Sequence, residues 1–157
     1  GVLSELVVFN YPGGTVFRQY QFQGKAVHLD PYDNEGVLIF VNGDAASAVF
    51  HYSVTENTMV KLRTFPFHDI SKVTGLSGGS CFIACGNDLW WYRPATGSTV
   101  RYLAFDEIKA VQYDALSGRV FVAAGNSIKS YRIPDQVSIA TVAVQGETAD
   151  LLLLYNR

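Results

Sequence analysis

Apolar residues along this chain gather in short runs rather than at the three-four spacing of a helix, and glycine, asparagine and aspartate punctuate the runs. The clearest runs are three octets that begin and end with glycine around six mostly apolar positions: GVLIFVNG at 36–43, GSCFIACG at 79–86 and GRVFVAAG at 118–125. Rich in β-branched and aromatic residues and bracketed by turn formers, they predict short, deeply buried strands. The octets begin 43 and 39 residues apart, and the segments after them also recur. GNDLWWYRP at 86–94 aligns without a gap on GNSIKSYRI at 125–133, with Gly, Asn, Tyr and Arg coinciding. The Gly-Asn pair can supply the positive φ of a tight hairpin, so residues 89–93 and 128–132 form the next strands.

A second hairpin comes next, LWWYRPATGSTVRYLAF at 89–105, and the chain opens with a similar stretch, LVVFNYPGGTVFRQYQF at 6–22. Leu6 matches Leu89, Gly14 matches Gly97, Arg18 matches Arg101 and Phe22 matches Phe105, at an offset of 83, close to two periods. A fourth element precedes the octet: AVHLD at 26–30, AVQYD at 110–114, and a weaker version at 72–76. With the four elements labelled A to D, the chain reads C-D, then A-B-C-D three times, then a terminal segment 147–157 with an A strand expected at 150–155. Four short antiparallel strands repeated at about 40 residues are the unit of a β-propeller blade. The fold class is therefore all-β: a partial blade at 1–24, blades at about 25–67, 68–105 and 106–145, and about four blades in all or part of a larger propeller. A β-sandwich also has many short strands, yet it does not require its sequence to repeat.

The LWWYRPATGSTVRYL stretch resembles the third strand, turn and fourth strand of a WD40 repeat, and AVQYDALSGRVFVAAGNSIKSYRI resembles the first three strands of the next. Tyr92-Arg93 and Tyr131-Arg132 stand where that family often has Trp-Asp, and none of His28, His51 or His68 follows a glycine. The hydrogen-bonded network of regular WD40 blades is therefore not carried over, and NHL-like or YWTD-like repeats stay open. The resemblance implies a recognition surface on the face where D-to-A and B-to-C connections emerge, with protein as the partner class. By that analogy the partner-binding residues are Asp44, His68, Asp69, Asn87, Asp88, Asp106, Glu107 and Asn126, with Phe65 and Phe67 as apolar contacts. The chain reads as a segment completed by another polypeptide or by more of its own, with a closed four-bladed ring as the runner-up, because an open array exposes backbone edges and blade faces.

Composition narrows the function classes. A 48% apolar content over 157 residues is enough for one real core, and a net charge of -2 without long single-sign runs gives no electrostatic reason to expect nucleic acid. The longest aliphatic run, residues 151–154, is far short of a membrane span. Cys81 and Cys85, four apart on one strand, lie about 13 Å apart and cannot bridge each other, which fits a reducing, cytoplasmic setting. A lone C-x-x-x-C without further ligands does not read as a metal site, and no cofactor is expected.

No G-x-S-x-G, phosphate-cradling loop or H-E-x-x-H occurs, so no catalytic residue is assigned. Asp30 and Asp114 occupy equivalent repeat positions before a turn, which points to a turn role rather than an acid pair. Asn87 and Asn126 read first as turn formers. His28 and His51 lie inside strands and read as packing residues. Trp90 and Trp91 should point to opposite faces, one into the core and one nearer the surface. The alternatives to a protein-binding module are a propeller hydrolase or lyase with acids around the channel, and a sugar- or RNA-binding propeller.

Overall fold

The strand pattern is realised almost throughout a computed structural model, which describes residues 1–32, 34 and 36–154. Among these residues there are fourteen strands and one short 3-10 helix, Pro94–Thr96. The chain divides into two units, residues 1–68 and 69–157. The first holds the hairpin β1 (Leu3–Phe9) and β2 (Val16–Gln23) and a four-stranded sheet of β3 (Lys25–Pro31), β4 (Gly36–Asn42), β5 (Ser47–Ser53) and β6 (Thr58–Thr64). The second holds two such sheets: β7 (Ile70–Gly75), β8 (Cys81–Cys85), β9 (Asp88–Arg93) and β10 (Ser98–Ala104), then β11 (Ile108–Asp114), β12 (Arg119–Ala124), β13 (Ser127–Arg132) and β14 (Val137–Ala143). Every pairing is antiparallel, and each sheet keeps sequence order from edge to edge.

The three octets form β4, β8 and β12, the second strand of each sheet, and their burial explains their composition. Phe82, Ile83 and Ala84 are fully buried, as are Leu38 and Phe40 in β4 and Val120 and Val122 in β12. A strand covered on both faces cannot alternate apolar with polar residues, so it appears as a continuous apolar run. The fourth strand, at the opposite edge, shows the reverse: every residue of β14 is exposed.

Turn chemistry fixes the register. Gly86 (φ 56°) and Gly125 (φ 53°) take the left-handed position of the two-residue β8–β9 and β12–β13 turns, while the asparagines after them keep negative φ, so glycine alone supplies what the Gly-Asn pair was expected to share. Asp114 holds the β11–β12 turn: its carboxylate accepts from the Leu116 N–H (2.9 Å) and the Ser117 hydroxyl (2.5 Å). In the first unit Asn57 (φ 53°) ends the β5–β6 turn and receives two phenols, Tyr20 on its carbonyl (2.6 Å) and Tyr52 on its side-chain oxygen (3.0 Å).

Each unit has its own core. Phe22, Ile39, Val41 and Tyr52 join β2 to β4 and β5, with Leu6, Val8, Tyr20, Phe50 and Met59 against them. In the second unit the two sheets meet through Phe82, Leu89, Tyr102, Val111, Val120 and Val122. Tyr102 stands at the centre, 4.8 Å from the Phe82 ring and edge-on to Trp91 at 5.6 Å. Burying each large apolar side chain contributes about 1.5–3 kcal/mol, which identifies this sheet-on-sheet seam as a principal source of stability in the unit.

Two expectations are corrected. Residues 150–154 form no strand, and Tyr155 lies outside the described residues. Trp90 and Trp91 do alternate, but both are half-buried: Trp91 packs into the core beside Tyr102, and the opposite face of β9 is covered as well, with Tyr92 1% exposed. A third strand inside a four-stranded sheet has neighbours on both faces, so alternation does not produce an inside and an outside here.

Candidate functional site

In the first unit the expected residues gather at one end of the β3–β6 sheet. After β6 the chain folds back on the start of β5: the Phe65 N–H donates to the Ser47 carbonyl (2.8 Å) and the Ser47 N–H to the Phe67 carbonyl (2.9 Å). This brings residues 65–67 beside the β4–β5 connection that carries Asp44. That connection is pinned by the Ser47 hydroxyl on the Asn42 side-chain oxygen (2.7 Å). Gly24 packs on the same end with φ 107°, where a Cβ would meet the Asn42 carbonyl oxygen at 2.8 Å.

The aromatic pair divides its roles. Phe65, expected as an apolar contact, is 2% exposed; it stacks on Phe40 and, at 4.9 Å between centroids, on Phe67. Phe67 is half-buried, while Asp44 and His68 are exposed. Phe65 therefore belongs to the interior, and it sets the plane of the Phe67 ring from beneath.

In the second unit the expected residues also lie at connection ends, tied together through the backbone. The Phe105 N–H donates to the Asn87 carbonyl (2.8 Å), the Gly125 N–H to the Glu107 carbonyl (3.1 Å) and the Val144 N–H to the Asn126 carbonyl (2.9 Å). Asn87 and Asn126 thus act as turn residues whose carbonyls hold the chain leaving each fourth strand. Their side chains, with those of Asp69, Asp106 and Glu107, stay exposed. Asp69 takes a left-handed φ of 63° just before β7.

The acids differ in their neighbours. Asp88 is clamped by Arg101 from β10, with Nε at 2.9 Å and Nη2 at 2.6 Å. Glu107 pairs with Lys109 at 2.5 Å, and this hydrogen bond is the main cause that holds the lysine above its ordinary range. Cys85, read from the sequence as a thiol but not as a site residue, lies next to this group: burial raises its thiol first, and the charges of Asp69 and Asp88 raise it further. The segment after β14 also meets this end, since Glu147 acts on Lys109 and Asp150 lies 3.7 Å from Lys72. No sequence signal marked that return, because it depends on where β7 and β11 lie side by side.

The histidines inside strands are packing residues. His51 meets Tyr32 edge-on at 5.3 Å, and its Nε2 lies over Gly36. His28 Nε2 stands 3.6 Å from Asp30 on the same strand. Among the described residues no group of three or more His, Cys, Asp or Glu is placed to hold a metal, and neither cysteine forms a disulfide. No helix among them is long and apolar enough to cross a membrane.

No protein-family model matches the chain, and no curated protein does. Solved structures do match. The chain is similar to one in the nidogen/laminin complex, with 9% identity over 81% of this chain and 52% of that one and a TM-score of 0.62. It is similar to dihydro-heme d1 dehydrogenase NirN in complex with DHE, with 14% identity over 92% of this chain and 34% of that one and a TM-score of 0.71. The fold is that of a β-propeller. The extracellular domain of a one component system from B. thetaiotaomicron is a further neighbour, with 12% identity over 88% of this chain and 20% of that one and a TM-score of 0.67. The chain thus spans about half the length of the first of these propellers and about a third and a fifth of the others. Each four-stranded sheet is one blade; of the expected residues, Asp44, Phe65, Phe67, His68, Asp69, Asn87, Asp106, Glu107 and Asn126 lie in connections between strands, while Asp88 is the first residue of β9.

Proposed function

We propose that this chain is a protein–protein interaction module: a WD40-like propeller segment, completed by another chain or by further sequence, that meets protein partners through its blade connections. The observation that carries the reading is the arrangement at the end of the first unit. A half-buried phenylalanine, Phe67, is held flat on a buried one and flanked by exposed polar side chains, Asp44 and His68. A rigid apolar anchor with a polar rim is the ordinary anatomy of a protein interface, and aromatic anchors carry much of its energy. In the second unit Asp69, Asn87, Asp106, Glu107 and Asn126 would supply polar contacts, with Asp88 held by Arg101. The nidogen/laminin structure supports the partner class, being a propeller neighbour in a protein complex.

The test is substitution at the anchor. Phe67→Ala, His68→Ala and Asp69→Ala should each weaken capture of a protein partner by tenfold or more, on the order of 1.4 kcal/mol or above. Their thermal unfolding should stay close to that of the parent. Unchanged capture by all three would remove this reading, and a metal-dependent hydrolytic activity lost on Asp69→Asn would put an enzyme in its place. The reading places the chain in the cytoplasm, where Cys81 and Cys85 remain thiols; recovery of the native protein outside the cytoplasm would contradict that.

A further inference from the structure

Each four-stranded sheet joins its third strand to its fourth through a turn of the same length: residues 54–57 between β5 and β6, 94–97 between β9 and β10, and 133–136 between β13 and β14. The last residue of each turn has a positive φ, 53° at Asn57, 64° at Gly97 and 59° at Gln136, so the three turns align position by position. The residue before it is exposed in all three. In two turns it is an acid, Glu56 and Asp135; in the β9–β10 turn it is Thr96.

The β13–β14 turn shows what the acid does. Asp135 holds the fork of Arg132, the last residue of β13, accepting from Nε at 3.0 Å and from Nη2 at 2.6 Å. The β9–β10 turn keeps the same arginine, Arg93 at the end of β9, without its acid. Among the described residues Arg93 has no carboxylate partner. Its guanidinium lies over the Trp91 ring, 5.0 Å from the centroid, and Nη2 donates to the Ser98 hydroxyl at 3.3 Å. The cation is thus held in place beside the turn with most of its fork unused. In the β5–β6 turn Ser53 stands in the arginine's place, and Glu56 accepts from the Thr58 hydroxyl instead (3.5 Å).

Thr96 is the one of the three turn residues that can gain an acid by reaction. Its hydroxyl is loosely engaged, donating to the Arg93 carbonyl at 3.4 Å and accepting from the Ser98 N–H at 3.3 Å, both long bonds. The neighbouring hydroxyls are less open: Ser98 and Thr99 are half-buried, and Thr99 Oγ1 is enclosed.

We propose that Thr96 is a phosphorylation site, and that its phosphate closes on Arg93 as Asp135 closes on Arg132. The co-reactants are a nucleoside triphosphate and a protein kinase. The bond from Oγ1 to the γ-phosphorus forms as the bond from that phosphorus to its bridging oxygen breaks; the nucleoside diphosphate leaves, and the hydroxyl proton passes to the kinase's base. The product carries a charge of about −1.5 to −2 and three acceptor oxygens, which match a planar guanidinium already positioned by Trp91 and Ser98. Modification therefore reverses the charge of this turn and clamps the β9–β10 hairpin in the way the β13–β14 hairpin is clamped by its own sequence.

The test treats the intact chain with MgATP and a serine/threonine kinase that selects arginine three residues before the acceptor, and maps the product by mass spectrometry. One phosphoryl group is expected at Thr96, and none in Thr96→Val, whose thermal unfolding should match the parent. In the modified chain the Arg93 Nε–H should exchange more slowly by roughly threefold or more, approaching the Arg132 Nε–H as internal standard. Thr96→Asp, which copies the β13–β14 turn, should slow the same proton. The phosphate's NMR titration midpoint should stand higher by about half a unit when Arg93→Gln is modified in the same way. The proposal is overturned if the chain takes no phosphate, if Ser98, Thr99 or another residue takes it in place of Thr96, or if phosphate at Thr96 leaves both the Arg93 Nε–H and the midpoint unmoved.

Discussion

At the scale of single residues, Gly36 shows how a repeat glycine can be kept for packing. A Cβ there would lie 2.1 Å from His51 Nε2 and 3.0 Å from the Tyr52 carbonyl oxygen. Gly36→Ala should therefore cost about 1–3 kcal/mol in chemical denaturation, and pairing it with His51→Ala should recover only part, because the backbone contact remains. Gly86 and Gly125 are the contrasting case: nothing lies within 4 Å of a Cβ, yet φ is positive. Alanine at either should cost about 1–2 kcal/mol through backbone strain alone. Cys85 supplies a readout of charge. Since Asp69 and Asp88 add to burial in raising its thiol, Asp69→Asn or Asp88→Asn should lower that value and speed alkylation of Cys85 at pH 8. An unchanged rate would show that the carboxylates do not act on it. The glycines of the octets and their turn role were legible in the sequence; the His51 contact was not, because it joins residues fifteen apart across a ladder.

At the scale of strands and hairpins, the repeat extends to detail that composition hides. All three first strands carry a bulge against the second, with Val27, Ser71 and Lys109 as the extra residue; in β7 and β11 it falls at the same repeat position, and in β3 one pair nearer the turn. These residues share no chemical type, so pattern reading could not find them; the extra residue bends the strand whatever its side chain. The Asp88–Arg101 pair belongs to the β9–β10 hairpin and is partly exposed, so Asp88→Asn should change stability by about 1 kcal/mol or less. A larger loss of partner capture in that variant would then report binding rather than folding.

At the scale of the whole molecule, several buried acids set an alkaline limit. Burial raises Tyr52, Tyr102 and Tyr131 above 10.0 and Cys85 above 9.0, so the unfolded chain loses these protons first as pH rises. Their contribution is complete below about pH 9, where both states keep the protons, and it is lost as pH climbs past the ordinary thiol and phenol values toward the folded ones. Denaturation midpoints should fall steadily above pH 9, and a flat profile to pH 11 would contradict this linkage. Blade completion is tested by mass: a well-behaved monomer of 17.3 kDa, indifferent to partners, would leave that reading without support.

Strand identity, turn positions and the period were written in the sequence, because a strand covered on both faces must be apolar along its length and a tight turn must have its glycine. Side-chain partnership belonged to the tertiary structure. Phe65 and Phe67 are one residue apart and chemically identical, yet one is interior and the other half-open, since burial depends on the fold-back onto Ser47 rather than on residue type. The clamp of Asp88 by Arg101, the approach of Asp69 to Cys85 and the return of Asp150 to Lys72 likewise required the sheets to be assembled, because hydrogen bonds and charges act over distances in space that the order of residues does not record.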